Sequence, residues 1–317
     1  MVRSVLFLVV FGFTYSAWAA SNAFDAGRAG FSVTYRGLTI PYRIFALYGL
    51  PNERLELQMN PGPDSESYEV EFRGRVSSIA AGKHFSTDLP EQHGVYPLRI
   101  KRVADDQTMM LNLFVLRPAS HIKNGALNGY PIGQYPPVKD GNAGLYAPPK
   151  AFIELTKDNV TTRLSPHFTL SQFPSKQRTA YPKYLVLRER LLLKLELLLE
   201  ELNKAGVTVS GFHVMSGYRT PFYNKAIGNV SYSRHQWGGA ADIFIDESPR
   251  DGIMDDLNKD GKITEADAKW LYDFIDGLFG KSFYEPYHGG LGQYRANQAH
   301  GPFVHVDVRG SRARWRN

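Results

Sequence analysis

Cysteine is absent from the 317-residue sequence. Disulfide bonds, cysteine nucleophiles and cysteine-based zinc sites are therefore excluded. A protein that works outside the cytoplasm without disulfides depends on its hydrophobic core or on bound metal ions for stability. Hydrophobic residues make up 43% of the chain and charged residues 21%, which excludes a highly charged disordered protein and allows a substantial core.

Long hydrophobic runs are scarce as well. The apolar run from Val5 to Phe13 is too short to span a membrane. Arg3 precedes it, and the small-x-small triplet Ala17-Trp18-Ala19 follows it, as in a cleavable signal peptide. We expect residues 1–19 to be a signal peptide, with a membrane anchor as the alternative. The mature protein is then periplasmic or secreted and has no membrane span.

Strong charge of one sign is also missing, since the formal net charge is only +6. A mild basic excess suits an anionic polymer such as the bacterial cell wall. Nucleic acid would suit it too, but the expected export argues against such a partner. The sequence does not determine the oligomeric state, and we expect a monomer.

Residues 24–118 are predicted to be all-β. Segments that alternate apolar and polar residues are separated by Gly, Pro, Asn and Asp, which predicts a small β-sandwich. The predicted strands are Phe31–Tyr35, Leu55–Met59, Tyr68–Phe72, Tyr96–Ile100 and Leu111–Leu116.

Residues 119–150 are rich in proline and glycine and are predicted to be a connector. Residues 151–317 combine helical and strand patterns. The dense leucine pattern from Lys183 to Lys204 predicts a helix that Gly206 ends, and Val207–Met215 is predicted to be a strand. The expected fold class is α+β, with a β-sandwich domain followed by an α+β domain.

Three residues of the second domain form a candidate zinc site. His235, Asp242 and His305 supply nitrogen and oxygen ligands, and a hydrolytic zinc site needs about three of these and one open position. The glycines between His235 and Asp242 allow a turn that brings both side chains to one point. His305 lies in an apolar segment typical of a strand, which would hold a ligand rigidly.

The surrounding residues resemble the M15 peptidases, a family of zinc D-Ala-D-Ala carboxypeptidases and murein endopeptidases. The resemblance covers roughly residues 165 to 315 with one insertion at 247–282. The matching positions are Ser216-Gly217-Tyr218-Arg219, Asn224, Ser233, His235, Gly238, Ala240-Ala241-Asp242 and His305-Val306-Asp307.

The resemblance implies a Hedgehog-like α+β zinc domain over residues 151–317. It also implies that His235, Asp242 and His305 bind one catalytic zinc ion. Arg219 would lie near the scissile carbonyl or the substrate carboxylate, and the forked guanidinium group of an arginine suits either role. Peptidoglycan stem peptides are the implied substrates.

The catalytic base is where the sequence departs from the better-known members of the family. They carry Glu, Asp or His two or three positions before the last zinc histidine, where this chain has Pro302 and Phe303. Asp307 would share a strand face with His305, as the base or as an acceptor that orients a ligand imidazole. His300 and His288 are rival bases, and zinc alone is a further alternative.

Four other features near the motif have open roles. Ser233 either supports the zinc ligands from outside the metal's own contacts or is a turn residue. Tyr218 and Trp237 are expected in the core or the cleft wall. The basic, aromatic segment Arg309–Trp315 either touches anionic glycan or packs as a chain terminus.

A calcium-binding loop of EF-hand or dockerin type is predicted between the second and third zinc ligands. Oxygen donors occupy loop positions 1, 3 and 5, glycine position 6, an apolar residue position 8 and a carboxylate position 12. The expected calcium ligands are Asp256, Asn258, Asp260, Lys262 through its carbonyl, Thr264 and Asp267. Residues 268–279 are predicted to form the exiting helix. The alternative is an acidic turn without an ion.

The sequence therefore predicts a zinc metallopeptidase that hydrolyses D-amino-acid peptide bonds in peptidoglycan, with calcium as a structural ion. An inactive, metal-containing cell-wall-binding module is the main alternative, because the usual base is missing. A calcium-dependent adhesion protein is a third reading, which the complete Ser216–Arg219 motif disfavours. Carboxypeptidase and endopeptidase activities share these motifs and cannot be separated by sequence.

Overall fold

The computed structural model describes residues 24–60, 67–138 and 143–317. The expected signal peptide at residues 1–19 lies outside the described residues. The fold is a mixture of α-helices and β-sheets, as the sequence predicts. None of the helices in the described part of the chain is long and apolar enough to cross a membrane.

Two sheets form the N-terminal part. One has the strand order β2-β1-β4-β7, and the other has the order β3-β9-β8-β5-β6. Their strands are β1 (Arg28–Tyr35), β2 (Leu38–Tyr42), β3 (Ile44–Gly49), β4 (Arg54–Met59), β5 (Ser67–Phe72), β6 (Arg75–Ala80), β7 (His84–Asp88), β8 (Gly94–Arg102) and β9 (Thr108–Val115).

Alternation of apolar and polar residues places one face of each sheet in the core. In β5, for example, Tyr68, Val70 and Phe72 are buried while the residues between them are not. The buried faces of the two sheets contact each other, because the Phe31 ring lies 5.2 Å from the Tyr68 ring. The Tyr35 hydroxyl also donates a 2.9 Å hydrogen bond to a β3 carbonyl.

The predicted connector contains regular structure of its own. It includes a small two-stranded sheet and a short helix, and its first strand joins a three-stranded sheet of order β10-β13-β14. The elements are β10 (Arg117–Pro118), β11 (Ala126–Leu127), β12 (Tyr130–Pro131), α1 (Ala143–Tyr146), β13 (Ala151–Leu155) and β14 (Lys183–Leu185).

The leucine-rich helix starts later than the sequence predicts. Residues Lys183–Leu185 pair with β13 as strand β14, and helix α2 spans Glu189–Lys204. The predicted end is correct, since Gly206 adopts the left-handed φ of +85° that favours glycine after a helix. The strand after it is shorter than Val207–Met215 and is confined to His213–Ser216.

The last sheet carries the candidate site and has the order β15-β16-β18-β17-β19. Its strands pair antiparallel except for β17 and β19, which are parallel. The strands and the associated helices are β15 (His213–Ser216), α3 (Pro221–Ala226), β16 (Ala240–Phe244), α4 (Glu265–Asp276), β17 (Gly290–Tyr294), β18 (Phe303–Asp307) and β19 (Ala313–Arg316).

Helix α2 lies between the N-terminal sheets and the last sheet, and its buried charges have partners on both sides. Glu200 accepts hydrogen bonds from Arg28 and from the Tyr42 hydroxyl, both in the N-terminal sheets. On the other side, the Lys194 ammonium group donates to the Asp307 carbonyl at the end of β18. The helix therefore connects the N-terminal sheets to the sheet that carries Asp242 and His305, two of the predicted metal ligands.

Candidate metal centre

Asp242 and His305 come from neighbouring strands. They are direct register partners in the antiparallel pair β16–β18, so their side chains leave the same face of the sheet. His235 comes from a 3-10 turn, Arg234–Trp237, that precedes β16. Gly238 ends this turn with a φ of +61°, and a Cβ there would lie 2.3 Å from the Val186 carbonyl oxygen. Only glycine fits this close approach.

The three predicted ligands meet at one point. His235 Nε2 lies 3.2 Å from Asp242 Oδ1 and 3.2 Å from His305 Nδ1. His305 Nδ1 lies 2.9 Å from Asp242 Oδ1. All three residues are buried, and their ligand atoms lie within 4.8 Å of one another. This buried His-Asp-His group can hold a metal ion.

Outer hydrogen bonds orient both imidazoles toward that point. His235 Nδ1 lies 2.6 Å from the Gly217 carbonyl, which only accepts, so Nδ1 carries the proton and Nε2 keeps a free lone pair. His305 Nε2 lies 3.3 Å from the Asp307 carboxylate, which leaves its Nδ1 free. An acceptor behind each metal-binding histidine is the usual arrangement in protein metal sites.

The protonation states of His235 and Asp242 also suit a metal. Burial lowers the pKa of His235 and keeps this imidazole neutral. Burial alone would raise the pKa of Asp242, but its contacts with His235 and His305 and the positive charge of Arg219 bring that pKa well below its usual range. Burial also opposes the charged form of His305, yet hydrogen bonds to Asp242 and Asp307 raise its pKa. An ionised aspartate and a neutral imidazole are the ligand forms that metals need.

Asp307 is enclosed by hydrogen-bond donors. Its Oδ1 accepts from the Gly290 N–H at 2.8 Å and the Arg309 N–H at 3.0 Å, and the Arg309 Nε lies 2.9 Å from Oδ2. The side chain is fully buried. Burial would raise the pKa of Asp307, but the hydrogen bonds from His305 and Arg309 hold it well below its usual range. This placement favours the orienting role over the base role, because an ionised, enclosed carboxylate does not face the substrate.

Arg219 reaches the centre from the loop after β15. Its Nε donates to the Ser216 hydroxyl at 2.8 Å, and its Nη2 forms an ion pair with Asp242 Oδ2. Asp242 therefore directs one oxygen to the two histidines and the other to Arg219. The Nη1 group of Arg219 has no partner within the described residues and is available to a ligand in the cleft.

A cleft of about 690 Å³ opens onto the candidate metal centre. One wall is aromatic, since the Tyr294 and Phe303 rings stack at 4.5 Å and the Trp315 ring lies 5.2 Å from the His305 ring. Of the described residues that line the cleft, Asp242 is the one carboxylate.

His300 and His288, the two histidines predicted as alternative catalytic bases, lie in different places. His300 lines the cleft and is half-buried, with its Nε2 2.9 Å from Asn297 Nδ2 and its ring 4.8 Å from Phe303. His288 does not line the cleft; it stacks on Phe279 at 4.8 Å and its Nδ1 lies 3.3 Å from Glu285. The geometry therefore favours His300 over His288 as the group that can exchange a proton with a substrate.

The structure places the remaining motif residues in the cleft wall or behind it. Ser233 lines the cleft at the start of the 3-10 turn, and within the described residues its hydroxyl makes no hydrogen bond to a predicted ligand. Tyr218 and Trp237 are each 1% exposed and lie in the interior. In the terminal segment, Arg309 binds Asp307, and Trp315 packs in the cleft wall.

The connector contributes a support that the sequence did not reveal. The Tyr135 hydroxyl lies 2.9 Å from the Tyr218 hydroxyl and donates to the Gln236 carbonyl at 3.0 Å. Trp237 Nε1 donates to the Ala147 carbonyl at 3.1 Å. These bonds brace both loops that carry the site. The proline-rich pattern indicated only turns, and no short motif marks Tyr135 as a brace.

The predicted calcium loop is organised by its own side chains. Asp256 accepts hydrogen bonds from the N–H groups of Asp260 at 3.1 Å and Gly261 at 2.8 Å. Asn258 Oδ1 accepts from the Asp260 N–H, and Asp260 Oδ1 accepts from the Lys262 N–H at 2.9 Å. Gly261 has a φ of +81°, which explains glycine at this position.

The last loop carboxylate is used as a helix cap. Asp267 is fully buried and accepts from the N–H groups of Leu257 and Thr264, both at 2.8 Å. Thr264 in turn caps helix α4 through the Ala266 N–H. Within the described residues, the loop carboxylates do not form a triple whose ligand atoms lie as close together as those of the His-Asp-His group.

No protein-family model matches the sequence, and no curated protein matches it significantly.

Proposed function

We propose that the protein is a zinc-dependent peptidase that hydrolyses D-amino-acid peptide bonds in peptidoglycan. The observation that carries the proposal is the buried group of His235, Asp242 and His305, whose ligand atoms lie within 4.8 Å of one another at an open cleft. Two nitrogens and one oxygen with an open side match the ligand set of catalytic zinc sites. The motif around these residues, which resembles M15 peptidases, supplies the substrate class.

The chemistry that zinc supplies when bound is Lewis acidity, which makes water a usable nucleophile near neutral pH. Arg219 faces the cleft and donates its free N–H groups to the carbonyl oxygen that gains negative charge. His300 exchanges protons with the attacking water and the leaving amine. Asp307 keeps the His305 imidazole in the orientation and tautomer that bind the metal.

A second function follows from the composition of the cleft wall. Among the described residues that line the cleft, Asp242 is the one carboxylate, and it is already assigned to the metal. No carboxylate of the described cleft lining is therefore left to act as a catalytic base. An inactive metal-containing module that binds the cell wall is consistent with this arrangement. The N-terminal sheets would then act with the cleft in wall binding.

Purified muropeptides test the two functions directly. The zinc-loaded protein is expected to release D-alanine from stem peptides or to open cross-links, and mass spectrometry identifies which bond is cut. His235→Ala should lose bound zinc and cleavage together, because it removes a ligand. His84→Ala is the matched control, since His84 is exposed in a strand of the N-terminal sheets. Intact muropeptides, together with co-sedimentation of the protein with sacculi, would favour the binding module.

We also propose that calcium stabilises the loop between β16 and α4. The support is the spacing of its oxygen-bearing residues and the left-handed glycine at loop position 6. Calcium should raise the thermal unfolding midpoint of the wild-type protein at millimolar concentration and leave that of Asp260→Ala unchanged. The same shift in both proteins, at saturating zinc, would show that the loop is an ion-free acidic turn.

A further inference from the structure

Lys176 is a cation in the wall of the metal cleft that no other side chain neutralises. It lines the cleft together with Arg219 and Met215. The residue is exposed, and its ammonium group has neither a hydrogen bond nor an ion pair within the described residues. A charged group that faces a cleft without a partner is available to a ligand of opposite charge.

Lys176 differs in this respect from the other basic side chains of the cleft. Each of those holds a polar group of the protein: Arg219 binds Ser216 and Asp242, Arg234 binds the Leu145 carbonyl, and Arg309 binds Asp307. Because Asp242 is the one carboxylate of the described cleft lining and Arg219 already pairs with it, the charge of Lys176 stays uncompensated.

Residues before and after Lys176 are hydrogen-bonded to the loop that carries Arg219. The Gln177 side chain donates to the Pro131 carbonyl at 2.9 Å and accepts from the Thr220 hydroxyl. The Phe173 carbonyl accepts from the Tyr218 N–H at 2.8 Å.

The approach of the two segments depends on Gly217, because a Cβ at this position would lie 2.7 Å from the Phe173 backbone. The lysine is thus presented beside Arg219 by a fixed scaffold.

Electrostatics agree with this placement. Partial burial and the nearby positive charge of Arg219 lower the pKa of Lys176, and Asp242 offsets only part of the effect. Two cations side by side in a cleft repel each other, and an anion bound between them relieves that repulsion. The observed geometry therefore favours an anionic group at this position of the cleft.

We propose that Lys176 binds a carboxylate of the substrate and so selects peptides with a free carboxylate on its side of the metal centre. The inference rests on the proposed peptidase function and names a specificity-determining residue for it. Arg219 is then available to bind the carbonyl oxygen of the peptide bond that is cut. The carboxylate belongs either to the peptide's C-terminus or to an acidic side chain, since a lysine binds both in the same way.

Peptides that differ only in amidation test the role of Lys176. Three stem peptides ending in D-Ala-D-Ala are compared: one with all acids free, one with its C-terminus amidated and one with its acidic side chain amidated. Each is given to the zinc-loaded full chain and to Lys176→Met, Lys176→Arg and Lys225→Met. Lys225 is the matched control, because it is an exposed lysine of helix α3 that does not line this cleft.

For the free acid, Lys176→Met should raise KM roughly tenfold with little change in kcat, as expected for the loss of one charged hydrogen bond. Lys176→Arg should restore most of the affinity, and Lys225→Met should behave as the wild type does. The amidation that abolishes the difference between wild type and Lys176→Met identifies which carboxylate is bound.

Calorimetric binding of the same peptides separates this inference from the proposed function. If the wild type cleaves the peptides but Lys176→Met shows unchanged KM for all three, the role of Lys176 is overturned and the peptidase stands. The opposite outcome is that the wild type cleaves none of the peptides but binds the free acid more tightly than the amide, whereas Lys176→Met does not. The peptidase function is then rejected and the carboxylate-binding role of Lys176 is retained. If the wild type neither cleaves nor binds the peptides, both the peptidase function and the role of Lys176 are overturned.

Discussion

At the scale of single residues, Asp307 shows how surroundings assign a role that residue type leaves open. Its position two residues after His305 allowed both the base and the orienting role. In the structure its oxygens are occupied by His305, Arg309 and the Gly290 N–H. A carboxylate held in this way stays ionised and turned away from the cleft, which favours orientation of the ligand.

Substitution of Asp307 by asparagine separates the two roles. Asp307→Asn should weaken zinc binding by roughly 10- to 100-fold, because the histidine loses its charged partner. At saturating zinc, kcat should stay within about tenfold of the wild-type value, whereas loss of a general base costs about a hundredfold or more. Competition with a zinc chelator gives the affinity, and turnover at saturating zinc gives kcat. His300→Ala is the complementary variant, with unchanged zinc affinity and a reduced kcat.

At the scale of elements, the close approach of a turn to the segment after β14 positions His235, the first of the predicted ligands. The 3-10 turn that carries His235 ends at Gly238, which touches the backbone of the segment after β14. Contacts of this kind make the local chain conformation depend on a partner that is distant in sequence.

An alanine at position 238 tests this dependence. Gly238→Ala should lower the free energy of unfolding by a few kcal/mol, because it combines a left-handed φ with a backbone clash. Gly228→Ala is the control: its φ is +67°, but nothing lies within 4 Å of the added Cβ. That variant should lose only about 1 kcal/mol from the left-handed conformation. If urea unfolding shows that both variants lose the same free energy of unfolding, the contact with Val186 does not contribute to stability.

Elements also show where sequence patterns are insufficient. The leucine pattern predicted α2 and its end at Gly206, yet it placed the start too early. Residues Lys183–Leu185 pair with β13 instead. The local sequence pattern does not predict this pairing, because it depends on a strand that is distant in sequence. The connector was predicted from prolines and glycines as a linker, but Tyr135 braces the site through contacts with distant residues.

At the scale of the whole molecule, helix α2 carries buried charges that join its neighbours. Lys194 is fully enclosed, donates to the Asp307 carbonyl at 2.8 Å and lies 5.3 Å from the Tyr284 ring. Burial lowers the pKa of Lys194 to about 7, and the charges of Arg314 and Arg309 add to this effect. The interior therefore disfavours the protonated form of this lysine.

Stability should consequently depend on pH through Lys194. Its pKa is about 7 in the folded protein and 10.5 when unperturbed, so between these values the unfolded chain binds more protons. The Lys194 contribution to the free energy of unfolding therefore rises with pH across this window. Lys194→Met removes this rise. Below pH 7 its free energy of unfolding should exceed that of the wild type by on the order of a few kcal/mol.

Urea unfolding at several pH values with saturating zinc measures this difference. The gap between Lys194→Met and wild type should be largest at the acidic end and close as the pH approaches the unperturbed pKa of lysine. Lys225→Met serves as the control, because that lysine is exposed. Parallel stability curves for Lys194→Met and wild type would contradict the argument.

The sequence by itself determined the α+β class and named the three residues that meet at the candidate metal centre. This was achievable because the strand patterns are local and because His235, Asp242 and His305 lie within short, dense motifs. Only the tertiary structure decided what surrounds them. The partners of Asp307, the brace by Tyr135 and the unpaired charge of Lys176 arise where segments distant in the chain pack together. Their chemistry depends on burial and neighbouring charge, which no local pattern records.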